Sequence, residues 1–180
     1  MSKILKVVFV NGNSAISSVI KTVEELGELL HGDNNIDFIP SHCGIIIDNN
    51  FREALLSGFI GNTLCNYKPK QLRIYDLEVT NEDLIKAGDN KFKSLLGDEY
   101  SIEACIAGGI YTLFSKASKD NLVNKDNCSG NIVDIIRAYG FNILPEIAAN
   151  NITPNILLTE IDKIGTQETI DQILDSYKQS

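Results

Sequence analysis

The chain has 180 residues, 43% hydrophobic and 22% charged, enough for one domain with a core of its own. With 24 acidic against 16 basic side chains the net charge is −8, which excludes nucleic acid as a partner, because phosphate-backbone binding needs clustered Lys and Arg. The 4 cysteines, widely spaced and without a CxxC pair, exclude a zinc ribbon and predict free thiols, so no metal or cofactor is called for.

The first segment, Lys3 to Val10, is an apolar run read as a buried strand. It is too short and too interrupted for a signal peptide, and no run approaches the ~20 apolar residues of a membrane span. The expectation is a cytoplasmic protein with no membrane span. Asn11-Gly12-Asn13-Ser14 then turns into a helix carrying Ile16, Val19, Ile20, Val23 and Leu26. Strand, glycine turn and helix invite a nucleotide-loop reading, but the Lys and repeated glycines that cradle phosphates are missing. His31 falls in the polar stretch that follows and is assigned to the surface.

Next, HCGIIID and FREALL, separated by Asn49-Asn50, form a hairpin pattern. Its turn has two candidate positions. With Asp48-Asn49 as the turn, Gly44 pairs with Glu53, and His42 lies diagonally on the same face, within reach of that carboxylate. With Asn49-Asn50, Glu53 faces Ile46 and the contact is lost. Glu53 is therefore either the residue that orients His42 or an exposed strand carboxylate. Gly58 to Lys70, with Cys65 inside it, reads as an irregular loop, and Gln71 to Val79 as a strand with a phase slip near Tyr75. Thr80 and Asp83 form a capping-box-like pair that opens a helix. Tyr100 to Phe114, with Cys105, reads as a buried helix rich in small residues.

In KDNCSGNIVD, Cys128 stands where a further helix begins. Ile132, Ile135, Ile136 and Tyr139 recur at helical spacing, and Gly140 supplies the stop. Cys128 lies four residues before Ile132, hence in the first turn on the inward side, with Asp126 or Asn127 as N-cap. There it is either a small packed side chain or a thiolate favoured by free N–H groups and the helix dipole. A Pro-initiated helix follows Thr153, and the tail carries Ile170, Ile173 and Leu174 on one side. The acidic stretch Glu160 to Asp175 is taken as a solvated face, with a homodimer contact on its apolar side as the alternative. No repeat or linker divides residues 1–180, so one α+β domain is expected.

SHCGIIID with its REA segment, and later NCSGNIVDIIRAYG followed by ITPNILL, resemble the permuted NlpC-like papain-fold amidases of the YaeF/YiiX type. Lecithin:retinol acyltransferase-like proteins are more distant relatives that share the Asn-Cys helix start. The order His, polar residue, Cys is that of the permuted branch. This resemblance implies a circularly permuted papain-like fold, a small antiparallel sheet packed against helices. It further implies Cys128 as nucleophile, His42 as base and Glu53 as the orienting third member. The activity implied is that of a cysteine amidase or peptidase working through an acyl-enzyme on a peptide- or acyl-containing substrate. The alternatives are an acyltransferase or thioester/ester hydrolase acting on lipid-like acyl groups, and a non-catalytic structural or binding module. Cys43 departs from the family pattern, standing where an apolar residue is usual.

Overall fold

In the computed structural model, residues 2–12, 38–55, 58–97 and 128–179 are described. Their strands are β1 (Lys3–Val10), β2 (His42–Ile47), β3 (Asn50–Leu55), β4 (Gly58–Gly61), β5 (Leu72–Val79) and β6 (Thr166–Gln167). They make a six-stranded sheet in the order β4-β3-β2-β1-β5-β6, antiparallel at every pairing. The helices are α1 (Glu82–Ser94), α2 (Cys128–Ala138), α3 (Pro154–Ile164) and α4 (Ile170–Gln179). The architecture is α+β.

Both faces of the sheet are covered. Leu5, Val7 and Phe9 of β1 and Cys43, Ile45 and Ile47 of β2 join one cluster with Ile132, Ile135 and Ile136 of α2 and Leu157 and Ile161 of α3. Val8, Val10, Ile46, Phe51 and Ile74 join a second, together with Leu64 and Ile173 of α4. A strand covered on both sides reads as a continuous apolar run, which is why β1 shows no polar alternation. The same geometry corrects the reading of β5. It pairs with β1 without interruption from Lys3↔Val79 to Val10↔Leu72, so no slip occurs at Tyr75. Ile74 and Tyr75 are both buried because each enters a different cluster.

Three further expectations change. Gly58–Gly61 is the edge strand β4 rather than loop, paired with β3 over four residues and too short to show a period. The cap of α1 is Asn81, whose Oδ1 accepts from Asp83 N and Leu84 N, in place of the Thr80–Asp83 pair. The acidic stretch Glu160 to Asp175 is not a uniform solvated face, since it spans parts of two helices and a short strand and contains the buried Glu168.

Helix α2 carries the candidate nucleophile. It packs on β2 and β3 and against α1 and α3. Ile132, Ile135 and Ile136 are 0% exposed, and burying each stabilises by ~1.5–3 kcal/mol before entropy is counted. Gly140, at φ 95°, ends it as expected. Beyond that end, Arg137 donates Nε to the Ile143 carbonyl at 2.9 Å and Nη2 to that of Ile147 at 2.8 Å. The Tyr139 ring lies against Gly88 of α1, where a Cβ would come within 2.3 Å of ring carbons. The Tyr139 hydroxyl donates to Asp89, which also accepts from Lys3 at 2.7 Å. The Pro-initiated helix expected after Thr153 is α3, and there Thr153 Oγ1 accepts from Ile156 N.

Candidate active site

The hairpin sets the site. Asp48 and Asn49 sit at φ 51° and 61°, the left-handed values of a two-residue turn whose twist matches its strands. Gly44 then pairs with Glu53 and Ile46 with Phe51. Of the two turn positions open in the sequence, Asp48-Asn49 is the one adopted. A side chain on Gly44 would stand 2.6 Å from Phe51 Cε2 and 2.7 Å from the Arg52 carbonyl, so the room at this glycine is taken by the Phe51 ring. The start of β2 is fixed by Ser41, whose N donates to the Val10 carbonyl at 2.9 Å and whose Oγ accepts from Gly12 N at 3.1 Å.

His42 and Glu53 meet across this face, with His42 Nε2 2.7 Å from Glu53 Oε2. Glu53 is 0% exposed, so the reading as an exposed strand carboxylate falls. Its Oε2 also accepts from the Tyr67 hydroxyl at 2.7 Å, and its Oε1 accepts from Asn62 Nδ2. Asn62 cannot turn round, because its Oδ1 accepts from Thr63 N at 2.9 Å and from Asn66 Nδ2. Burial by itself would raise the Glu53 carboxyl. The bond and charge of His42, then the donors Tyr67 and Asn62, outweigh it and hold the carboxyl below its usual range.

Cys128 is the first residue of α2 and is 2% exposed. It belongs to the first cluster, with Cys43, whereas strand alternation sends His42 and Glu53 towards the second. Tyr67, packed against the second cluster, holds Glu53 from that side. Burial first, then the charge and hydrogen bond of Glu53, push its hydroxyl far above the usual phenol range. Tyr67 therefore stays protonated and a donor to the carboxylate at any ordinary pH.

Asn62 and Tyr67 are absent from the sequence reading. They lie in a stretch without periodicity, and only the buried Glu53, which needs donors for both oxygens, points to them. Cys43 is buried and Cys65 exposed. His31, Tyr100, Cys105, Asp126, Asn127 and the helix expected around Ile16 to Leu26 lie outside the described residues. Among the described residues no cluster of three His, Cys, Asp or Glu side chains could hold a metal ion, and no helix is long and apolar enough to cross a membrane. No protein-family model matches the chain, and no curated protein is significantly similar to it.

Proposed function

We propose that the protein is a cysteine-nucleophile hydrolase, an amidase or peptidase, in which Cys128 attacks, His42 carries the proton and Glu53 orients His42 on a permuted papain-like framework. The observation that carries this reading is the bond between His42 Nε2 and the wholly buried Glu53. A carboxylate held there accepts from Nε2–H and leaves Nδ1 as the proton acceptor. Support on the sulfur side comes from the position of Cys128 at the start of an eleven-residue helix, where backbone N–H groups and the dipole favour a thiolate. The thiolate adds to the carbonyl carbon, and the oxyanion is met by N–H groups of the helix start. Collapse breaks the C–N bond while the His42 proton passes to the leaving amine. Water then adds to the acyl-thioester, giving its proton to His42, and the C–S bond breaks to regenerate the thiol. The apolar side chains clustered with Cys128 favour, as a second reading, the same sequence of steps on a lipid-like ester or thioester.

Alkylation separates a thiolate from a packed thiol. Cys65 is exposed and Cys128 is not, so accessibility alone makes Cys65 react first with iodoacetamide near neutral pH. The proposal expects Cys128 first, and expects His42→Ala to slow it by at least about tenfold. Mapping of the labelled thiols by mass spectrometry decides it, and preference for any other cysteine leaves a non-catalytic module as the better description.

A further inference from the structure

On the other side of β3 from Glu53 lies a second polar feature. Arg52 stands opposite Gly61 of β4, and a Cβ on Gly61 would come 2.7 Å from its Nη1 and 3.2 Å from its Cζ. The glycine thus lets the guanidinium lie across the edge strand. Around it is an open pocket of about 390 Å³, lined also by Asn49, Asn50, Asn62 and Thr63, within the size range of small-molecule sites.

The lining contains amides and a hydroxyl but no carboxylate. Of the hairpin's acidic side chains, Asp48 is engaged by Lys3 at 2.9 Å and Glu53 by His42, Tyr67 and Asn62. Among the described residues none pairs with Arg52, and its Nε is buried with no acceptor. An ionised donor out of water without a partner is costly, more so than a neutral one. A chain with net charge −8 has acidic groups in excess, yet among the described residues this guanidinium stands unmatched beside neutral polar groups.

We propose that the Arg52 pocket binds a carboxylate borne on a small organic ligand. The planar guanidinium fork matches a carboxylate in two parallel bonds. A single positive charge balances a single negative one, whereas a phosphate would bring up to two. Asn62 is shared with the Glu53 cluster, so its amide is the structural link between the two regions. The binding itself does not depend on any chemistry at Cys128.

The test is an NMR titration of the intact protein, following the Arg52 Nε–H signal and the amides of Gly61, Asn62 and Thr63. N-acetylglycine, which carries one carboxylate, should shift them saturably. N-acetylglycinamide, which keeps the size and loses the charge, should bind at least about tenfold more weakly. Arg52→Gln should abolish the response, and Gly61→Ala, which leaves Arg52 in place but crowds its guanidinium, should weaken it. Equal shifts from both compounds, no saturation up to about 50 mM, or tighter binding of inorganic phosphate would each overturn the proposal. None of these results alters the alkylation pattern expected of Cys128, so the two proposals fail separately.

Discussion

Glu53 and Glu168 are both buried carboxylates against the same sheet, but they are held by different kinds of partner. Glu168 faces Lys6, which also binds Asp76 at 3.1 Å, and its second oxygen, Oε2, has no hydrogen-bond partner among the described residues. Glu53 has both oxygens bonded, by a phenol, an amide and an imidazole. A lysine is a permanent charge that neutralises without demanding direction, which suits an ion pair that only fixes β6 against β1. The imidazole keeps a second ring nitrogen that can take or give a proton, and the phenol and the amide fix the direction in which the carboxylate points. The first arrangement stores position. The second is suited to steering a proton carrier.

The largest effect that would sharpen this contrast is at Lys6. Lys6→Met leaves Glu168 buried beside no cation and should cost ~3 kcal/mol, while replacing both residues by Met should recover most of it. Chemical denaturation measures both, and a single variant no less stable than the parent would break the contrast. Next comes Glu53→Gln, expected to cost ~2 kcal/mol, because an amide donor is set against the donors of Tyr67, Asn62 and His42. This cost should depend on pH. The Glu53 carboxyl lies lower in the folded chain than its ordinary 4.5, so its stabilisation is complete above that value and is lost as the pH falls through the lower folded one. The gap between parent and variant should therefore narrow as denaturation is repeated from neutral pH down to about pH 3. Smallest is Tyr67→Phe, which deletes one of the bonds to Glu53 for ~1 kcal/mol. Its second readout is the rate of Cys128 alkylation, which should change if Tyr67 couples the carboxylate to the sulfur and stay constant if it only packs.

How far all this is legible in the sequence follows from periodicity. The contact between His42 and Glu53 can be read because period-two alternation and a two-residue turn leave only two registers, and one of them brings the pair together. The inward face of α2 is readable for the same reason, with period 3.6. Asn62 and Tyr67 are not, because a loop aims its side chains by local hydrogen bonds that no pattern records. Glu168 is hidden differently, as one acidic residue in an acidic stretch whose burial depends on Lys6, over 160 residues away. The apparent slip at Tyr75 shows the limit of a period-two reading, which assumes one wet face.

The far end of α2 behaves like the clamped end of a beam. Tyr139 is seated in a notch that only a glycine could leave, and Arg137 is tied to the carbonyls of the following loop. The helix therefore cannot slide along its axis or roll without dislodging both fastenings. Cys128, eleven residues from Tyr139, rides on the same clamped rod, so its place is set in part from the opposite end. Filling the notch with Gly88→Ala, a change remote from every reactive group, should thus be felt in the sulfur's surroundings as well as at Tyr139.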